Sequence, residues 1–213
     1  MTSSICYRSE IEAKTKLHEF GCDLHSLQGV ALTAISARNE ATPLHPQSAP
    51  GQKSYLEGVA ALRNLFLRLD DWEIYNAKGI EGVRNKNLEV IILFQNVDFA
   101  CGIHEPRPLH PKRGGVTELV DNGTLCLFDE MASEDGLREN KEVWFLCVAN
   151  RSEEPQAELS RPSRIEDGVF GTLLERIFVL NSDGPGPEAS TQGQDSDQET
   201  TTDDFDVTIS RKK

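Results

Sequence analysis

Apolar residues recur along this chain on two different periods, and the periods divide it into helical and extended segments. Over 53–69, Tyr55, Leu56, Val59, Leu62, Leu65, Phe66 and Leu69 follow three- and four-residue steps, the spacing that gathers apolar side chains on one face of an α-helix. Ser54 or Gln52 is placed to cap this helix, Glu57 stands three residues after Ser54 as in a capping box, and Asp70-Asp71 ends it. Residues 8–36 also read as helical, with a break near Gly21. There Leu24, Leu27, Ala31, Ala34 and Ile35 keep helical spacing, and Ile11, Leu17 and Phe20 keep it loosely. Pro43, Pro46, Pro50 and Gly51 interrupt any helix across 40–51.

The extended segments come later. Residues 72–75 form a short strand, and 76–87 read as a loop rich in Gly and Asn. The run 88–94 is apolar on both faces except at Glu89, which places it in the interior of a sheet. Residues 95–118, with Pro106, Pro108, Pro111, Gly102, Gly114 and Gly115, read as one long irregular stretch, and loops of that length in a compact domain are usually functional or mobile. A short apolar run at 125–128 and a polar surface stretch at 129–141 precede the second strong strand, 143–148. A turn at 153–156 leads to an edge strand at 157–161. At the end, Val169, Leu173, Leu174, Ile177 and Phe178 fit a helix face, while 177–180 equally fits a final strand. The order helix, helix, strand, strand, strand, helix, without a repeat, predicts an α+β fold: a small central β-sheet with N-terminal helices packed on it and long irregular loops.

Charge changes this picture at the C-terminal end. Residues 182–213 hold eight acids and three bases, which is −5 of the chain's −13 and leaves −8 on residues 1–181. Their only large apolar residues are Phe205, Val207 and Ile209, too few to offset the entropy of ordering. The expected organisation is therefore one globular domain, 1–181, and a disordered acidic tail, 182–213. An acidic body disfavours general binding to nucleic acid or anionic lipid. No apolar run approaches the ~20 residues that span a bilayer, and Met1–Cys6 has neither the basic flank nor the apolar core of a signal peptide. Cys6, Cys22, Cys101, Cys126 and Cys147 form no CxxC pair, so free thiols in a reducing cytoplasm are expected.

Several stretches together resemble a known group. They are Ala37-Arg38-Asn39 with His45-Pro46 and Ala49-Pro50-Gly51, then Tyr55-x-x-Gly58-x-x-Ala61-Leu62-Arg63. Asn96-Val97-Asp98-x-Ala100-Cys101, Lys112-x-Gly114, Glu158-Leu159-Ser160-Arg161-Pro162, Glu175-Arg176-Ile177 and the closing Asp204-Phe205-Asp206 complete the set. The combination, covering most of 35–206, is similar to a family of uncharacterised proteins carried by bacterial prophages and integrative elements. The resemblance implies a bacterial mobile-element context and a cytoplasmic location. The family has no established activity, so no catalytic residue follows from it.

Candidate chemistry is sparse. Arg38 and His45 lie before the best helix, where they could meet a phosphate at its N-terminus or simply bond carbonyls of a Pro-rich turn. Arg107, His110, Lys112 and Arg113 fall within seven residues, the one dense basic cluster in the acidic body. Such a cluster suits a nucleic-acid backbone or a phosphorylated ligand, or else a solvated loop. Cys101-x2-His104-x5-His110, with Cys126, has the outline of a zinc set but lacks a second tight pair. Asp71, Glu73, Lys86, Glu89 and Asp98 flank predicted strands, without the carboxylate-then-Glu-x-Lys order of a magnesium nuclease. Leu125, Leu127 and Phe128 resemble the short peptide that docks on bacterial sliding clamps, or a buried strand. Residues 205–209 alternate apolar and polar, as a segment that adds to a partner's sheet edge does.

No catalytic residue, cofactor or metal is assigned on this basis. The sequence favours a non-enzymatic accessory or binding protein of a bacterial mobile element, acting on DNA metabolism or host defence through a protein partner or a short nucleic acid or nucleotide, with no membrane contact. Its ligand-binding candidates are Arg38, His45, Arg63, Asp98, Arg107, His110, Lys112 and Arg113. The alternative is a nuclease-like enzyme on a nucleotide or nucleic acid, with Arg38, His45, Arg63, Asp98 and Lys112 converging in one cleft beside the sheet end.

Overall fold

The computed structural model describes residues 4–111, 114–123, 141–149 and 154–181. In chain order the elements are β1 (Ile5–Tyr7), α1 (Glu10–His18), α2 (Leu24–Asn39), α3 (Ala49–Phe66), β2 (Trp72–Ala77), β3 (Ile80–Asn85) and β4 (Val90–Val97). They continue with α4 (Gly114–Gly123), β5 (Glu142–Ala149), β6 (Ala157–Pro162), β7 (Ile165–Glu166), β8 (Val169–Phe170) and β9 (Leu173–Leu180). Seven strands form one sheet in the order β1-β9-β6-β5-β4-β3-β2, and β7 and β8 form a separate ribbon. The β1/β9 and β4/β5 pairs are parallel and the others antiparallel. The fold is α+β, as expected, around a sheet larger than the small one the pattern suggests.

Both faces of the sheet are covered. On one, α1–α3 bury Leu17, Leu27, Leu62 and Phe66 against Ile92, Trp144, Leu146, Leu159 and Ile177. On the other, Val120 of α4 and Ile165 and Phe170 of the ribbon pack with Ile91, Leu93, Phe145, Cys147 and Leu173. This double covering is why β4 and β5 are continuous apolar runs in the sequence. Trp144, wholly buried, stacks edge-on to Phe20 at 5.3 Å between centroids.

Several expectations shift. The third helix begins at Ala49, four residues before the expected start at residue 53. Pro50 sits in its first turn, where a missing N–H costs nothing and a fixed φ is already helical. Ser54 therefore caps nothing: it is buried and donates to Asn96 Oδ1 at 2.8 Å. The presumed loop 76–87 contains β3, joined to β2 by a two-residue turn in which Lys78 and Gly79 both have positive φ, the geometry that matches strand twist. The presumed irregular stretch 95–118 contains the start of α4. The segment expected at a sheet edge, β6, lies between β5 and β9, and 173–180 is a strand rather than a helix. The segments 124–140 and 182–213, with their sliding-clamp-like peptide and tail, lie outside the described residues.

One buried polar cluster ties the loop after β4 to the sheet. The Arg176 guanidinium donates to both oxygens of Glu158 at 2.9 and 2.7 Å, and also to the carbonyls of Gly102 and His104. Glu158 in turn accepts the Cys101 N–H at 2.6 Å. The two charges are almost fully buried, an arrangement that is tolerable because each is paired and hydrogen-bonded.

Candidate functional site

Three of the eight sequence candidates, His45, Arg63 and Asp98, are occupied with holding the fold. His45 accepts the Thr42 N–H at Nδ1, 3.0 Å away, and closes an exposed turn. Arg38 is in the last turn of α2. Arg63 donates to the carbonyls of Gly82 and Tyr75 and to the Glu81 carboxylate, bracing the β2–β3 hairpin against α3. Asp98 Oδ1 accepts the N–H groups of Phe99 and Arg107 at 2.7 and 2.8 Å, closing a loop. Arg107 and His110 are exposed on that loop, and Lys112 and Arg113 lie outside the described residues. Of the five side chains expected to converge, Arg38, His45, Arg63 and Asp98 line no part of the cleft described below, and Lys112 is not described.

Among the described residues the metal readings find no grouped ligands, and Cys126 lies outside them. Cys101 is buried and its thiol donates to the carbonyls of Ala157 and Leu180 at 3.1 and 3.4 Å. Burial, with the nearby Glu158 carboxylate, pushes its pKa far up, so it is a thiol and not a thiolate ligand. Among the described residues no group of three His, Cys, Asp or Glu is placed to hold a metal ion. The presumed nuclease carboxylates are spread out. The Glu73 carboxylate is hydrogen-bonded by Arg84 and Lys86, which hold its pKa below the ordinary value. Glu89 and Asp98 stand just before and just after the eight-residue β4, roughly 30 Å apart at strand rise.

What the structure does build is a cleft of about 710 Å³, and its origin is a split in the sheet. The β3–β4 ladder stops at Gly82↔Leu93. Further along β4, the segment after Arg107 takes over the same side: Leu109 donates to the Asn96 carbonyl at 3.1 Å, and Val97 bridges Pro108. The cleft opens between these two partners, at the carboxyl end of the parallel β4/β5 pair. Crevices beyond the carboxyl ends of parallel strands are a recurrent place for ligands. Its walls come from four elements. The first half of α3 supplies Gln52, Tyr55 and Leu56, and β4 supplies Leu93 to Asn96. The hairpin gives Lys78 to Glu81, and His110 and Pro111 lead to Gly115 and Val116 of α4.

Two glycines make this geometry. A Cβ at Gly58 would overlap the Phe94 ring, and one at Gly82 would overlap the Ile92 carbonyl. The first allows α3 to lie directly on Phe94, and the second allows β3 to close on β4 just before the split. Phe94 then forms a buried floor, with Tyr55 edge-on above it at 6.2 Å.

The polar part of the cleft's lining holds charges that are paired. Lys78 pairs with Glu118 at 2.7 Å, and Glu81 pairs with Arg63. Burial first, then the Glu81 carboxylate, raises the Tyr55 phenol above its ordinary pKa, which keeps it neutral. The remaining polar wall is made of carboxamides: Gln52, Gln95 and Asn96. Asn96 is held at both ends, accepting from Ser54 and donating from Nδ2 to the Gly51 carbonyl at 2.9 Å. Of the six sequence candidates that are described, only His110 lines this cleft. Sequence reading missed Gln52, Tyr55 and Gln95. One signal was available: Gln95-Asn96 interrupts an otherwise apolar strand at its carboxyl end. Comparison of the chain with protein-family models, curated proteins and solved structures finds no match.

Proposed function

We propose that this protein is a non-enzymatic binding protein whose ligand is a small molecule held in the cleft at the carboxyl end of β4. The observation that carries the reading is the split between β3 and the 107–109 segment, which opens about 710 Å³ beside the fixed carboxamide of Asn96. That volume is within the ~300–1,000 Å³ range of ligand sites, which combine apolar walls with a few placed polar groups. The charged residues lining it, Lys78 and Glu81, are committed to ion pairs, and neither is poised as a free acid or base. The nuclease-like alternative gains nothing from carboxylates separated along the length of β4. A wider role as an accessory protein of a bacterial mobile element, cytoplasmic and serving DNA metabolism or host defence, rests on the sequence resemblance alone.

The test is a thermal-shift screen of nucleosides, nucleotides, amino acids and sugars on the wild type and on Gln52→Trp. Gln52 is an exposed helical position at the cleft mouth, so the indole obstructs the site without entering the core. A concentration-dependent rise in Tm that is lost in the variant is the expected result. A rise equal in both proteins would place the ligand elsewhere, and no rise with any class would move the function to a protein partner.

A further inference from the structure

We infer that the ligand of this cleft is a nucleobase, presented as a nucleoside or mononucleotide; the inference rests on the cleft being the binding site. Three features of the walls select a flat heteroaromatic ring. The first is an aromatic platform. Tyr55, 37% exposed, lines the cleft and lies edge-on to the buried Phe94 at 6.2 Å, an aromatic wall on whose face a guest ring would stack. Stacking on such a face is available to every base.

The second is the chemistry of the polar edge. A carboxamide presents a donor and an acceptor side by side, the pattern that matches the edge of a base. Asn96 is oriented by Ser54 and Gly51, which use one lone pair of its oxygen and one N–H of its nitrogen. A second lone pair and a second N–H remain, and they are pre-aimed because the side chain has no freedom left to lose. Gln52, bonded only to Ser48 Oγ at 3.3 Å among the described residues, can turn to meet a second edge.

The third is what the other walls lack. Leu56, Ile80, Leu93 and Val116 surround the carboxamides with apolar surface. A sugar carries hydroxyls around its whole perimeter and would leave some unpaired there, which is costly. A bare anion finds the cleft's own charges already paired. A ring that is apolar on both faces and polar at its edge fits these walls. A phosphate on the ribose would reach the mouth, where His110 stands.

The experiment is calorimetric titration with adenosine, guanosine, cytidine and uridine and their 5′-monophosphates. Ribose 5-phosphate and inorganic phosphate serve as arms without a base. Wild type is compared with Tyr55→Leu, which removes the π-face but keeps an apolar side chain, with Gln52→Ala, and with the remote exposed control Leu32→Ala. At least one base-bearing ligand is expected to bind wild type and Leu32→Ala alike, and to lose about tenfold or more in affinity on Tyr55→Leu, the scale of one stacking contact. Base-free arms binding as tightly as the nucleotides would overturn the inference, as would binding unaffected by both Tyr55→Leu and Gln52→Ala. Should no base-bearing ligand bind while another class gives a Tm rise sensitive to Gln52→Trp, the nucleobase is wrong and the cleft stands. Should no class do so, the cleft reading falls with it.

Discussion

Glycine shows most directly how the same change can have opposite signs in one fold. At Gly58 an added methyl would collide with the buried Phe94 ring, whereas at Gly29, in the middle of α2, it would meet nothing within 4 Å. Gly58→Ala is therefore expected to destabilise by about 1–3 kcal/mol through overpacking, and Gly29→Ala to stabilise by roughly 0.5–1 kcal/mol through helix propensity. Guanidinium unfolding of both variants checks the pair; equal shifts would mean that α3 does not lie on Phe94 as described. Because Phe94 floors the cleft, Gly58→Ala should also weaken any ligand that Gln52→Trp blocks. At this scale the sequence hid the site. Tyr55 reads as one more member of an apolar stripe and Asn96 as a turn former, since neither residue type announces that a tertiary contact fixes its side chain.

At the scale of elements, the N-terminal helices were legible, while α4 and most of the short strands were not. The break between α1 and α2 falls where the periodicity fails, because a capping Asp23 and the apolar stripe from Leu24 onward agree. Strand β3, Ile-Glu-Gly-Val-Arg-Asn, carries three polar side chains and a glycine needed for close approach, so its alternation is too weak to separate from a loop. The ribbon β7–β8 turns at Asp167-Gly168, both with positive φ, and this Asp-Gly is a hairpin signal that the sequence displayed openly. Strand β9 mimics a helix face by chance, and only its burial between β1 and β6 decides against it. Asp23 permits a test of the α2 cap. The Ser26 hydroxyl and then the Ser26 N–H hold its carboxyl below the usual pKa, so the folded state favours the charged form. A depressed carboxyl stabilises above its unfolded pKa, about 3.9, and that contribution disappears as pH falls through the lower folded value. Asp23→Asn keeps an acceptor that does not titrate. The stability advantage of wild type over this variant is expected to be present at pH 6, on the order of 0.3–1 kcal/mol from the charge at the helix N-terminus, and to shrink below about pH 4. Urea unfolding at pH 6 and pH 3 measures it, and a difference constant across that range would remove the charge from the cap.

Across the whole molecule, charge and apolar surface are distributed very unevenly, and this makes the end of the chain testable. Every described strand of the main sheet lies within 5–180, and the last of them, β9, is flanked by β1 and β6. Among the described residues the apolar groups on both faces of the sheet pack against one another. Residues 182–213 add Phe205, Val207 and Ile209 as their only large apolar groups and −5 of the −13 net charge. Acidic groups on a body that is itself −8 repel it. Truncation after Asn181 is expected to leave Tm within about 2–4 °C of the full chain, the shift equivalent to some 1 kcal/mol for a domain of this size. Any change at low ionic strength should be a small rise, because repulsion is relieved, and it should vanish in 0.5 M salt as the charges are screened. A fall of more than ~5 °C would show instead that the segment docks on the body and stabilises it. In that event the acidic residues would have to lie against a basic surface, and the loop carrying Arg107 and His110 is the first place to look. The same truncated chain should then be titrated with the cleft's ligand. Affinity unchanged by truncation separates the tail from the site. Affinity raised by truncation would make the tail a competitor for the cleft mouth, with salt closing the gap between the two proteins.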